Sequence, residues 1–385
     1  MAATAAATIP RRARRPWIDT LLVQGVAVVA AVLFAGLVGA VIILAYGESP
    51  TFVYSTLWQF STARVSDFAR VLEQATPLIF AALAVAVAFK CGLFNIGVEG
   101  QYIVGMMTAT MAAVWLELPG PIHLPLVVLA AMAGSMAWAF VPAILKVKTG
   151  AHEVVTTIMM NGISVSLVAW ALLNPLRTTD TGLVDLRSDR FAESAIMPPL
   201  APSLGLEEQI PSSAHLTWLF PLALLACVVV WFLLFRTRLG YEARAVGTSP
   251  GSAEAGGISI GGTQLKIFLI SGALAGFVGL NYLLGDAGFL GVNYETTLGF
   301  TGIAVAFLGR NHPVGIVLAA LLLGVLFRGE DGVAVATELP REITVILEGL
   351  LILSVVVAYE IARRVRLRRQ AEVIREEEGG ARAAA

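Results

Sequence analysis

Runs of apolar residues recur along this chain at lengths of roughly 18 to 26, the length a helix needs to cross a hydrocarbon layer about 30 Å thick. They fall at Ile18 to Tyr46, Val71 to Phe89, Gln101 to Leu118, Leu124 to Leu145, Val154 to Leu173, Leu216 to Phe235, Leu265 to Leu284 and Ile343 to Ala362. Two shorter runs, Leu298 to Leu308 and Val314 to Phe327, flank Gly309-Arg310-Asn311-His312-Pro313, and each is short enough to be a half-helix or a tilted, partly shielded span. No single soluble core absorbs so many such runs. The composition agrees: 14% of the residues are charged, against roughly 25% in an average soluble domain. The expected fold class is all-α, a polytopic membrane protein with about ten transmembrane helices, some short or broken.

Charge distribution orients the spans. Basic clusters at Arg11 to Arg15 and Arg363 to Arg369 abut the first and last spans, so both termini are expected on the cytoplasmic side of a cytoplasmic (inner) membrane. Lys90, Lys146, Lys148, Arg236, Arg238, Arg244, Lys266 and Arg310 fall on the same side when the spans are counted through. Neither cluster is interleaved with aromatic residues, so membrane anchoring explains them better than nucleic-acid binding. The expected organisation is a basic tail at 1–16, a transmembrane domain at 17–362 and a charged tail at 363–385. The run after Trp17 is too long for the core of a cleaved leader and reads as the first span.

Two hydrophilic segments exceed the length of simple turns. The outer one, 174–214, is rich in Pro, Ser and acidic residues and suits docking of an extracytoplasmic partner. The inner one, 236–264, contains a stretch from Ser249 to Ile258 that opens on Ser249-Pro250, a helix start, and stops at Gly256-Gly257. A short helix on the cytoplasmic surface is expected there.

The polar octet Phe94-Asn95-Ile96-Gly97-Val98-Glu99-Gly100-Gln101 lies between two apolar runs. A carboxylate or amide at membrane depth is costly unless it faces protein or water, so such residues line a pathway or brace a broken helix. Gly97 and Gly100 favour an interruption around Glu99. Glu99 is then either a pathway carboxylate or an acceptor for the backbone N–H groups the break frees, and the second reading is preferred. The octet is expected near the cytoplasmic ends of the second and third spans.

Several chemistries lack their residues. None of Lys90, Lys146, Lys148 and Lys266 sits in a phosphate-binding glycine loop, so this chain is not expected to hydrolyse ATP. His152-Glu153 begins like a zinc-protease helix, but Thr156 stands where the second ligand belongs. The four histidines are scattered, Cys91 and Cys227 form no paired motif, and no G-x-S-x-G elbow is present. Neither catalysis, nor a cofactor, nor a metal is expected.

The octet, the segment Gly150-Ala151-His152-Glu153-Val154-Val155-Thr156-Thr157-Ile158-Met159-Met160-Asn161, the run Leu239 to Gly247 and the run Gly302 to Gly315 together resemble, in this order, the permease subunit of bacterial ABC importers for nucleosides and related simple sugars. The resemblance covers roughly Ala69 to Tyr359. It implies a pore-forming subunit paired with a second, homologous permease, a cytoplasmic ABC ATPase that binds the ATP, and an extracytoplasmic substrate-binding lipoprotein. It also implies that 236–264 is the coupling loop, with Glu242, Arg244, Ser249, Pro250, Glu254 and Gly257 as candidate ATPase contacts. Asn95, Glu99, Gln101, Thr157 and Asn161 are candidate substrate-pathway residues, able to meet hydroxyls and ring nitrogens weakly enough to let them pass. The chain departs from the family at His152, commonly Asn, and near Gly256, where relatives often carry a larger residue. The competing expectation is an ion-coupled secondary transporter of small polar solutes with Glu99 as its coupling carboxylate.

Overall fold

The computed structural model describes residues 16–179, 186–211, 214–340, 342–343, 345–354, 357–358, 360–361 and 364, with side chains from residue 29 onward. The two terminal basic clusters, Arg364 apart, lie outside the described residues. The chain divides into two compact units, Met1–Val53 with Leu339–Ala385, and Tyr54–Glu338.

The first unit carries α1 (Pro16–Ala45), a 30-residue helix, and the apolar helix α14 (Val345–Ser354). Leu33, Leu37, Val41 and Leu44 of α1 are exposed, as lipid-facing residues are.

The second unit holds most of the chain. After α2 (Pro50–Thr62) its centre is α3 (Val65–Lys90), in which every residue from Ala75 to Ala88 is buried. Around it stand α4 (Val98–Trp115), α5 (Gly120–Thr149), α6 (Glu153–Leu173), α8 (Leu219–Arg236), α11 (Ile260–Ala275), α12 (Leu298–Leu308) and α13 (Pro313–Ala336). The short helices α7 (Leu200–Ser203), α9 (Arg238–Thr248) and α10 (Pro250–Ala255) lie in the two hydrophilic segments. Five helices among the described residues, α3, α5, α6, α8 and α13, are long and apolar enough to cross a bilayer, and shorter apolar helices accompany them. The all-α polytopic expectation is met.

Small residues bring these helices together, as they do where lipid gives no hydrophobic drive to associate. A Cβ on Gly302 of α12 would lie 2.4 Å from the Ala81 methyl of α3, and one on Gly276 2.8 Å from the Ala131 carbonyl oxygen of α5. Of the two lengths open to these runs, α12 has that of a half-helix and α13, with 24 residues, that of a span. The apolar run ends at Phe327 because Arg328, Glu330 and Asp331 follow, yet the helix continues to Ala336. Arg328 is buried and donates to Asp67 of α3 at 3.2 Å and to Asp331 at 3.0 Å, so paired charge replaces apolar surface.

The outer segment is folded onto the bundle. Leu200, Ala201, Ile210, Ala214 and Leu216 close a small apolar cluster over Ala69. Backbone N–H groups of Ser188, Phe191 and Met197 donate to the carbonyls of Leu290, Gly288 and Leu284, stitching this segment to the stretch that follows α11. That stretch contains a π-helical turn, Asn281–Ala287.

Candidate functional site

The octet leaves α3 through Cys91 and the left-handed Gly92, then climbs to the start of α4. Its polar groups meet one another. Asn95 Nδ2 donates to Gln101 Oε1 at 3.0 Å and to Ser271 Oγ of α11 at 2.8 Å, while Asn95 Oδ1 accepts from Gln101 Nε2 and from the Gly97 N–H. Asn161 of α6 spans the break: its Oδ1 accepts the Gly100 N–H at 2.9 Å and its Nδ2 donates to the Ile96 carbonyl at 3.1 Å. Ser135 of α5 donates to the Gln101 carbonyl, and Ser271 to the Ala84 carbonyl of α3. Thr157 donates to the Glu153 carbonyl within its own helix and packs where a Cβ on Gly97 would fall, 3.0 Å away. These five helices are thereby tied through one buried polar network whose members satisfy each other.

Glu99 braces a break, but a different one from that expected. Its Oε1 accepts the Thr297 N–H at 2.7 Å and the Tyr102 hydroxyl at 2.9 Å, and its Oε2 accepts the Gly299 N–H at 2.8 Å. The carboxylate therefore caps the half-helix α12 across 200 residues of sequence, at the end where the helix dipole favours negative charge. Gly299 is the close approach that permits it, since a Cβ there would lie 2.5 Å from the Glu99 nitrogen. Thr297, at φ 82, holds a conformation that β-branched residues rarely adopt.

α12 fixes the depth of this cap. Its 11 residues span about 16 Å, and it ends at a turn whose Arg310 lies within electrostatic reach of Lys90 and His312. Thr297 and Glu99 therefore sit about 16 Å, the length of α12, from the turn at Gly309 and Arg310. Only the beginning of the octet, where Phe94 stacks on Phe307 and meets Phe89 edge-on, lies near the basic end. From Cys91 to Gly97 the chain is irregular before α4 begins.

Opposite the network lies a feature not singled out from the sequence. From Gly291 to Thr297 the chain runs without regular structure from the outer segment to the start of α12, and Val292, Asn293, Glu295, Thr296 and Thr297 are exposed, with Tyr294 half-buried. The signal was available: Asn293 to Thr297 is an uninterrupted polar run between Val292 and Leu298. By contrast Asn95, Glu99, Gln101 and Thr157 are each no more than 5% exposed, and Asn161 9%.

At the basic end, α9 and α10 meet at Ser249, with Pro250 in the first turn of α10 and the left-handed Gly257 just after it. The expected short helix is present, and α9 before it was not foreseen. Gly247 of α9 lies against the end of α3, where a Cβ would be 2.4 Å from the Lys90 carbonyl oxygen and 2.9 Å from the Gly92 nitrogen. Glu242 pairs with Arg238 at 2.8 Å, Arg244 lies over the Phe235 ring at 5.3 Å, and Glu254 is exposed. His152 caps α6 by accepting the Val154 N–H, and Glu153 pairs with Lys146 at 2.8 Å, so the His152 departure serves a local cap.

The sequence profile of the family described as branched-chain amino acid transport system / permease component matches residues 68–383. The chain belongs to this family. The guanosine ABC transporter permease protein NupP of Bacillus subtilis is 38% identical to it over 324 residues, covering 84% of this chain and 90% of that protein. The glucose ABC transporter permease protein TsgB13 of Haloferax volcanii is 34% identical over 358 residues, covering 93% and 92%. The nucleoside ABC transporter permease protein NupB of Lactococcus lactis is 32% identical over 333 residues, covering 86% and 90%. Bacillus subtilis also has a second guanosine permease protein, NupQ, 28% identical over 266 residues that cover 66% of this chain and 78% of NupQ. The permease is thus a multi-pass membrane subunit of an ABC transport system, and the ion-coupled alternative is set aside.

Proposed function

We propose that the permease forms one half of the translocation path of an ATP-driven importer of nucleosides or related simple sugars in the cytoplasmic membrane, with the basic end of the bundle inside. The observation that carries this reading is the exposed irregular segment 291–297 leading into the half-helix α12 between apolar helices. Irregular backbone cannot face lipid there, and is tolerated only against protein or a water-filled cavity. A second, homologous permease facing this segment would enclose a path between them. The occurrence of NupP and NupQ in one organism supports such pairing.

The chemistry of the segment suits an uncharged polyhydroxylated solute. Asn293, Thr296 and Thr297 offer amide and hydroxyl groups, Tyr294 a ring face, and Glu295 a strong acceptor. An amino-acid substrate would need a matched anion-binding group as well, and the segment has no cation. Asn95, Glu99, Gln101, Thr157 and Asn161 then serve the path from behind, by holding α4, α6 and α12 in register.

On the inner side we assign α9 and α10 to docking on a cytoplasmic ATPase, with Glu254 as a polar contact. Displacement of α9 reaches the octet through the backbone contact at Gly247, and the octet holds α12 through Glu99. On the outer side a binding lipoprotein would press on 186–217, which is bonded to 284–291, the start of the polar segment. Thr296→Cys in the assembled transporter tests the reading. A membrane-impermeant thiol reagent should label it, substrate should protect it, and labelling should stop uptake. No labelling, or uptake unaffected by complete labelling, would remove segment 291–297 from the path.

A further inference from the structure

At the basic end of the second unit an apolar groove of about 260 Å³ opens between α8 and the start of α13. It is lined by Cys227, Val228 and Trp231 on one side and His312, Pro313 and Val314 on the other. Val228, Trp231 and Val314 are exposed there, on helices long and apolar enough to stand in the bilayer.

Cations gather at the rim of this groove. Arg236 lies over the Trp231 ring at 5.3 Å, and Arg244 over the Phe235 ring at 5.3 Å, with Phe235 in turn 6.0 Å from the His312 ring. Lys90 lies within electrostatic reach of Arg244 and Arg310. Partial burial, followed by the charges of Lys90 and Arg310, pushes the His312 imidazole below its ordinary value. Among the described residues Lys90, Arg236 and Arg244 form no ion pair with a carboxylate, and Arg244 Nη1 is buried without a hydrogen-bond partner. Clustered like charge of this kind is unfavourable until an anion neutralises it.

We infer that the groove and its rim are a binding site for one anionic phospholipid, an acyl chain lying against Val228, Trp231 and Val314 while the phosphate meets Arg236, Arg244 and Arg310. The groove supplies apolar burial and the rim supplies the opposite charge, the combination by which basic pockets between membrane helices hold anionic headgroups. A soluble anion would explain the rim but not the groove, and a zwitterionic lipid the groove but not the rim. An acidic side chain of the docked ATPase would also neutralise the rim, but it would leave the apolar floor facing lipid of any kind. The site does not depend on which solute the permease carries.

Trp231 is its own reporter. The full chain is reconstituted in vesicles of phosphatidylcholine with increasing phosphatidylglycerol, one lipid or the other carrying brominated acyl chains, and quenching assigned to Trp231 is taken as the difference from Trp231→Phe. Brominated phosphatidylglycerol should quench that component at several-fold lower mole fraction than brominated phosphatidylcholine. Arg236→Gln should reduce the preference roughly fivefold, the effect of about 1 kcal/mol per surface cation. Val228→Trp, which fills the groove, should remove quenching by both lipids. Equal quenching by the two lipids, or a preference that survives Arg236→Gln combined with Arg310→Gln, overturns the proposal. So does loss of the preference on adding inorganic phosphate, which would make the rim a site for free anions. Loss of the preference when a purified ATPase partner is docked would assign the rim to that partner instead.

Discussion

Replacing Glu99 with Gln isolates what its charge does at the start of α12. The carboxylate accepts three donors, Thr297 N–H and Tyr102 hydroxyl on Oε1 and Gly299 N–H on Oε2. Glutamine keeps one acceptor oxygen for the first two and turns its NH₂ toward Gly299, donor against donor. The loss is one charge-assisted bond, about 1.5–3 kcal/mol, and the charge at the N-terminus of α12, about 0.3–1 kcal/mol. Together they amount to about 2–3 kcal/mol, because the two overlap and do not add fully. Unfolding midpoints of wild type and Glu99→Gln in the same lipid–detergent micelles read the difference, alongside uptake by membrane vesicles. Gly299→Ala should lower stability too with the carboxylate intact, since its methyl would lie 2.5 Å from the Glu99 nitrogen. A Glu99→Gln protein that unfolds at the wild-type midpoint yet has lost uptake would refute the capping argument and return Glu99 to the path.

Gly247→Ala should force α9 away from α3, because its methyl would meet the Lys90 carbonyl oxygen at 2.4 Å; uptake should fall while ATP hydrolysis by the assembled transporter continues, whereas Gly36→Ala, with nothing within 4 Å, should be silent in both assays. Arg328→Met leaves Asp67 of α3 with its charge unpartnered by Arg328, and should cost about 3–5 kcal/mol in a denaturation assay; combining it with Asp67→Leu should recover most of the loss. The Asp189 carboxyl is held below the ordinary aspartate value by the Thr178 hydroxyl and then the Thr179 N–H. Its folded value is depressed, so its contribution is present above the ordinary aspartate value and is lost as pH falls through the depressed one. Protease resistance of the outer segment should therefore drop on acidification below the usual carboxylate range, and Asp189→Asn should abolish that dependence.

Hydropathy alone determined that the chain crosses the membrane many times. It also placed α12 to the residue and marked Ser249-Pro250 and Gly257 as the ends of a short helix, because span length and cap chemistry are local properties. Polar residues among apolar ones drew notice at Asn95, Glu99, Gln101 and Asn161 for the same reason. What none of these residues states in sequence is its partner. Only the tertiary structure joined Glu99 to Thr297 and Gly299, Asn95 to Ser271, and Arg328 to Asp67, pairs separated by 176 to 261 positions or thereabouts. The same pairing decided exposure. A polar side chain in a membrane must either find a partner in the bundle or face water, and composition does not distinguish the two. The octet found partners and became the brace of a half-helix. Asn293 to Thr297, equally polar and no more conspicuous in sequence, was left largely on the surface at the entry to that half-helix.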